Sequence, residues 1–208
     1  MNTVAPVGAI VPCAGRSSRM GRSKALLDAD GSPFLQRVIG TLTGGGARDI
    51  IVVVRDEEGE EAALARSAGA RVLQNPAPDH PNLGGPISSV RIGLRALAPD
   101  IAGALIHPVD HPRVRASTVR ALIEAFRAAG APVTAPVCQD RRGHPVLFAS
   151  EVFEDLLDSS LAGGARSVVH RHQARRVLVP VHDPGISDDL DTPEAYDAAF
   201  SPGTPTSS

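Results

Sequence analysis

Ten residues, Gly15 to Lys24, carry two glycines and four cations: Gly15, Arg16, Arg19, Gly21, Arg22 and Lys24. They follow the apolar run Ala9-Ile-Val11, which has the length and β-branched content of a buried strand and breaks at Pro12. Glycine lets a backbone come close to an anion, and the N–H groups of such a bend form a concavity for it. Guanidinium and ammonium groups add the charge that phosphate oxygens need. The pattern predicts a loop that holds a polyphosphate. It is not a P-loop, because no glycine directly precedes Lys24 and no Ser or Thr follows it, and no Gly-x-Gly-x-x-Gly is present. A surface turn with solvated arginines is the competing reading.

Two further segments offer carboxylates. Asp110 stands in His107-Pro-Val-Asp-His-Pro112, after the strand expected at Ile101–Ile106. Asp189 and Asp191 stand in Ser187-Asp-Asp-Leu-Asp-Thr-Pro-Glu-Ala-Tyr196, just before a helix expected over Pro193–Phe200. There Thr192 is suited to the N-cap, Pro193 to the first helical position and Glu194 to the helix dipole. In an extended stretch, residues two apart project to the same side. Magnesium keeps several waters and takes one or two carboxylates besides substrate phosphates, a demand that Asp110 with Asp189 or Asp191 meets. Taken singly, each aspartate reads more readily as a turn or capping residue.

Short apolar strands alternate with helical segments along the chain. Ser32-Pro33 predicts a helix start leading into Phe34–Ile39, stopped by Gly44-Gly-Gly46; Ile50–Val54 is a strand. A polar-faced helix is expected over Glu57–Ala68, a strand at Arg71–Leu73 and a Pro-, Asn- and Gly-rich loop over Asn75–Pro86. Helices follow at Ile87–Leu97, with Ile87, Val90, Leu94 and Leu97 on one face, and from a Ser117 cap to about Ala129. Pro132–Val137, His144–Phe148 and Val177–Val181 read as strands and Glu151–Leu157 as a helix. Such alternation predicts an α/β protein built of βαβ units around a mainly parallel sheet. In these sheets ligands sit beyond the carboxyl ends of the strands, so the Pro12–Lys24 loop and Asp110 should open onto one crevice.

The 208 residues suit one domain, expected over residues 1–200, with a small polar and disordered tail at 201–208. A formal net charge of −2 offers no nucleic-acid stripe, and one Tyr with no Trp offers no stacking platform for single strands. No apolar run approaches the roughly 20 residues of a membrane span, and no cationic region precedes the first apolar run. The expectation is a soluble, cytoplasmic protein without nucleic-acid or membrane partners.

The elements Ala14-Gly15-x3-Arg19-Met20-Gly21-x2-Lys24, Pro108-Val-Asp-His-Pro112, Gly143-His-Pro-Val146 and Asp189-Leu-Asp-Thr-Pro-Glu194 occur in the order seen in MobA-like nucleotidyltransferases. The chain resembles that family over residues 7 to 200, and within it the molybdenum cofactor cytidylyltransferase branch most closely. The resemblance implies a three-layer αβα, Rossmann-like fold of the nucleotide-diphospho-sugar transferase type. It also implies transfer of a nucleoside monophosphate from an NTP, CTP for choice, to a phosphorylated acceptor such as molybdopterin, with release of pyrophosphate.

On the resemblance, Ala14, Gly15, Arg16, Ser17 and Gly21 would wrap the triphosphate, with Arg19 and Lys24 neutralising it. Asp110 with Asp189 or Asp191 would hold Mg2+; Asn75, Gly84 and Gly85 would meet the base; His111 and His144 would line the acceptor side. The resemblance also admits a partner in molybdoenzyme maturation. Two departures stand out. Pro12-Cys-Ala-Gly15 replaces the family's aliphatic-Ala-Ala-Gly, and Asp110-His-Pro112 stands where its cytidylyltransferases carry Asp-Gln-Pro or Asp-Met-Pro. Alternatives are transfer to a sugar phosphate or other small phosphate, or a module that holds a nucleotide without transferring it.

Other constellations weigh less. His107 and His111 have helical zinc spacing, but Pro108 and Pro112 oppose a helix there. Cys13 lacks a histidine at recognisable spacing and reads as a small buried thiol; Cys13 and Cys138 form no metal or disulfide pattern. His170-Arg-His172 with Arg175-Arg176 reads as a solvated helix end able to steer an anion.

Overall fold

The computed structural model describes residues 5–15, 23–80 and 84–200. β1 (Val7–Pro12) leads, past a short 3₁₀ turn at Lys24–Leu26, into a small hairpin of β2 (Asp28–Ala29) and β3 (Ser32–Pro33). Then come α1 (Phe34–Gly45), β4 (Ile50–Val54), α2 (Glu60–Ser67), β5 (Arg71–Gln74), α3 (Pro86–Ala96), β6 (Gly103–Ile106) and α4 (Ala116–Ala129). β7 (Val133–Cys138), β8 (Arg141–Arg142), β9 (Val146–Ala149), α5 (Phe153–Leu157), α6 (Ala165–Arg171), β10 (Val177–Pro180) and α7 (Pro193–Phe200) complete the order.

The sheet runs β10-β7-β9-β6-β1-β4-β5, with β8 also paired to β7. β6, β1, β4 and β5 are mutually parallel, as are β10 and β7. β9 lies antiparallel between β6 and β7, so the sheet is mixed rather than uniformly parallel. The cause is the short path from β7 to β9: after a turn at Gln139 and Asp140, which take φ of 49° and 60°, the chain folds straight back. A parallel return needs a crossover of a dozen or more residues.

Side chains of successive residues alternate across the sheet and build two cores. Val7, Ala9 and Val11 of β1, with Ile50, Val52 and Val54 of β4, face α1, α2, α4 and α7. Ile10, Ile51 and Val53 face α3, α5 and α6. Those three layers confirm the expected architecture, because strands buried on both faces must be apolar at every position. No helix among the described residues is long and apolar enough to cross a membrane.

Several helix boundaries differ from expectation. Ser32 is not the cap of α1: Ser32-Pro33 belongs to β3 and Pro33 takes the cap position, whereas Gly46, at φ 99°, ends the helix as its glycine run predicts. α2 starts at Glu60, because the Asp56 carboxylate first accepts from the Glu58 N–H at 3.0 Å in a turn. α4 is not capped by Ser117. Asp183, 2% exposed, accepts from the Arg115 N–H at 2.8 Å and the Thr118 hydroxyl at 2.6 Å, doing the capping from a distant segment. α6 is the helix that ends at His170-Arg-His172, but His172 is not merely solvated, since its Nε2 lies 2.7 Å from Asp155.

Candidate functional site

β1 and β6 are neighbours in register, Ile10 opposite Ile106, so the segments that leave their carboxyl ends run side by side. The His107 N–H donates to the Ile10 carbonyl at 3.0 Å, and the Cys13 N–H to Val53 at 2.8 Å. Beyond these ends lies a cavity of about 730 Å³, lined by Ala14, Gly15 and Lys24 on one side and Asp110, His111, His144 and Asp189 on another. Gly84 and Gly85, before α3, line it as well.

Lys24 Nζ lies 3.5 Å from Asp110 Oδ2 and pairs with the Asp191 carboxylate. The two segments expected to converge therefore do. Asp191 and Asp189 arrive through a laced backbone. The Asp183 carboxylate accepts from the Gly185 N–H, and a Cβ at 185 would strike the Arg113 carbonyl. One at 143 would fall on the Ile186 carbonyl, which instead accepts from the His144 N–H at 2.8 Å. Close backbone approach is why glycine occupies both positions. The Leu190 N–H then donates to the Asp110 carbonyl.

Asp110, Asp189 and Asp191 place one carboxylate oxygen each within 4.8 Å of one another, the one such group of potential metal ligands among the described residues. Hard oxygen donors of this kind suit magnesium. Asp110 Oδ1 is buried and makes no hydrogen bond within the described residues, where the His111 Nε2 approaches it only to 3.8 Å. The residues present fit a divalent cation. The sequence left Asp189 and Asp191 as alternatives; both reach the cluster.

His111 and His144, expected on the acceptor side, lie beside each other with their rings tilted by 45°. The His111 and His144 ring centroids are 4.8 Å apart, and His107, fully buried, makes no hydrogen bond through either ring nitrogen within the described residues. Burial, then the nearby His111, pushes His144 down to about 4 and His107 well below the ordinary imidazole value. Both are neutral at pH 7, so they offer polar contact without charge. His107 and His111 do not sit on a helix and join no three-ligand cluster. Burial pushes the Cys13 thiol up to about 12, with Glu61 and Asp110 adding to it, which removes it as a nucleophile at neutral pH.

Asn75 is placed differently from the expectation of a base contact. It is 2% exposed and does not line the cavity. Its amide donates to Ser88 and Ser89 at 2.7 and 3.0 Å and accepts from the Ala77 N–H at 3.1 Å, which braces the start of α3. Arg16, Ser17, Arg19 and Gly21 lie outside the described residues, as do Arg22 and Leu83. Residues that no motif had flagged also line the cavity: Asp79, Ser89, Gly163 and Gly164. Asp79 falls in the Pro-, Asn- and Gly-rich loop, Ser89 in a helix, and no sequence signal marks any of the four as a site residue.

The model of the MobA-like NTP transferase domain matches residues 9–177. A 2-C-methyl-D-erythritol 4-phosphate cytidylyltransferase of Streptomyces avermitilis is 35% identical over 136 residues, 64% of this chain and 54% of the relative. The chain thus spans about half the length of that relative. A molybdenum cofactor guanylyltransferase of Xanthomonas euvesicatoria is 29% identical over 201 residues, covering 92% of this chain and 93% of its own. The crystal structure of Rv0371c from Mycobacterium tuberculosis H37Rv superposes with a TM-score of 0.75 at 26% identity, over 94% of this chain and 98% of that one. Carboxylate cluster, mixed three-layer sheet and family match agree: the chain belongs to the MobA-like NTP transferase domain family.

Proposed function

We propose that the chain transfers a nucleoside monophosphate from an NTP to a phosphorylated acceptor and releases pyrophosphate. The observation that carries this reading is Lys24 set 3.5 Å from Asp110 at a cavity lined by Ala14 and Gly15 as well as by the carboxylate segments. An acceptor phosphate oxygen forms the new bond to the α-phosphorus, while the α–β bridging bond breaks and pyrophosphate leaves. Such a transfer asks the protein for positioning and charge neutralisation rather than covalent chemistry.

Lys24, a mobile point charge, neutralises the triphosphate, and Arg19 joins it on the resemblance. The Ala14–Gly15 backbone, with Arg16, Ser17 and Gly21, receives the phosphates. Asp110, Asp189 and Asp191 would hold magnesium, which when bound supplies Lewis-acid stabilisation of phosphate charge. Gly84 and Gly85 flank the base. His111 and His144 line the acceptor side, where burial keeps the His144 ring neutral.

CTP as donor and molybdopterin as acceptor follow from the branch that the sequence resembles. A small polyol phosphate acceptor is the second reading, favoured by the 35% identity to a methylerythritol phosphate cytidylyltransferase. Pyrophosphate release, measured with each of the four NTPs, magnesium and either acceptor class, tests both. Absence of release with every combination would overturn the transferase reading in favour of a nucleotide-holding module.

A further inference from the structure

We propose that Arg55 is a positioning residue that ties the base-side rim of the cavity to the start of the anion-binding bend, so that a nucleoside triphosphate meets one preformed unit. The inference rests on the function proposed above. Arg55 follows β4 directly, and β4 lies between β1 and β5, whose following segments form the two walls. Its Nη1 donates to Asp79 Oδ2 at 2.8 Å and its Nη2 to Asp79 Oδ1 at 3.1 Å. The same Nη2 donates to the Ala14 carbonyl at 2.9 Å. One guanidinium thus spans both walls.

The rim it holds is internally closed. The Gly85 N–H donates to the Pro78 carbonyl and the Gly84 N–H to the His80 carbonyl, both at 2.7 Å. A Cβ at 84 would lie 2.5 Å from the Pro78 carbonyl, so only glycine permits that closure. Residues 77–80 are thus bonded to residues 84–85, and Asp79 is a handle by which Arg55 fixes this paired rim. At the other end, the Gln74 amide donates to the Arg55 carbonyl at 3.1 Å, which pins Arg55 itself.

Ala14, Gly15, Pro78, Asp79 and Gly84 line the cavity, whereas Arg55 does not. It acts through the others. Arg55 and Asp79 are 39% and 41% exposed, a setting in which charge attraction alone contributes little. What a lysine could not reproduce is the planar fork, bidentate on the carboxylate with a donor left over for the carbonyl. Two walls held in place before the ligand arrives spare the ordering cost that binding would otherwise carry.

The test combines amide hydrogen exchange on the protein without nucleotide with steady-state kinetics on Arg55→Met, Arg55→Lys and Asp79→Asn. In Arg55→Met, exchange should quicken at 13–15 and in the paired rim, 77–80 with 84–85, while β1 and β6 keep their protection. KM for the NTP should rise about tenfold with kcat within about threefold, the signature of lost ground-state organisation. Arg55→Lys should recover less than half of the change. If Arg55→Met loosens the whole sheet, Asp79→Asn, changed only on the exposed rim, decides by the same readouts.

Unchanged exchange in either segment, an unmoved KM, a fall in kcat alone, or full rescue by lysine would each overturn the proposal. A wild-type protein that releases no pyrophosphate would sink the transferase reading instead. The exchange result would then still decide whether Arg55 holds the two walls.

Discussion

The backbone N–H of Leu190 donates to the carbonyl of Asp110 across 3.2 Å. That bond joins segments 80 positions apart and sets the register of the residues flanking Leu190, itself 3% exposed and locked in the core. Asp189 and Asp191 are thereby delivered beside Asp110 by main chain, not by long flexible side chains.

Asp110→Asn should lower kcat by at least about a hundredfold, because an amide keeps the shape but removes the charge that a divalent cation requires. Melting temperature and far-UV circular dichroism should stay close to wild type. Pyrophosphate release across a magnesium titration checks it, and near-full turnover would remove Asp110 from the site.

Lys24→Ala removes the cation that faces Asp110 and Asp191. KM for the NTP should rise about tenfold or more, with a smaller fall in kcat, as expected for a lost charge-assisted contact to phosphate. Binding of the nucleotide followed by calorimetry gives the comparison.

Asn75→Ala removes the donor to the Ser88 and Ser89 hydroxyls and the acceptor of the Ala77 N–H, although Ser88 still donates to the Gly85 carbonyl. A urea titration should show a loss of about 1–3 kcal/mol, typical of unsatisfied buried polar groups. At saturating nucleotide, kcat should be largely retained, since the side chain does not reach the cavity.

Cys13 should resist alkylation at pH 8, where a thiol at about 12 is ionised to only about one part in ten thousand. Cys13→Ser should keep kcat within a few-fold. Rapid inactivation by iodoacetamide that nucleotide prevents would contradict this assignment.

Stability should fall on acidification. The folded value of His144, about 4, lies below the ordinary imidazole value of 6.5. Between those limits the unfolded chain takes up a proton that the folded chain does not, so stability is complete above about pH 6.5 and drains away towards pH 4. His144 alone accounts for up to about 3 kcal/mol, and His107 adds in the same direction. Chemical denaturation of chelator-treated protein at pH 7 and pH 5 measures the difference; an equal midpoint at both would refute it.

Much of the site was legible before the structure, because its chemistry is local in sequence. A glycine bend after a buried strand, and Asp-x-Asp before a Thr-Pro helix start, are short-range patterns. Thr192 does cap α7, its hydroxyl accepting from the Ala195 N–H at 3.2 Å. What escaped is what depends on distant partners. Nothing near Ser117 reveals that Asp183 caps α4. The antiparallel course of β9 follows from a two-residue turn whose strands look alike in either direction. Asn75 carries the right chemistry for a base contact, and only Ser88 and Ser89 packed against it show where that chemistry is used.

α7 follows directly on the carboxylate segment, yet none of its residues is fully buried. It is fastened by a triangle of rings, Phe34, Tyr196 and Phe200, with centroids 5.3 to 5.9 Å apart, and by the Tyr196 hydroxyl donating to the Asp28 carbonyl. Local opening begins where few apolar groups are sequestered. On warming, this hem should lift while the strands stay knitted, so catalytic competence would vanish in a transition several degrees ahead of global melting.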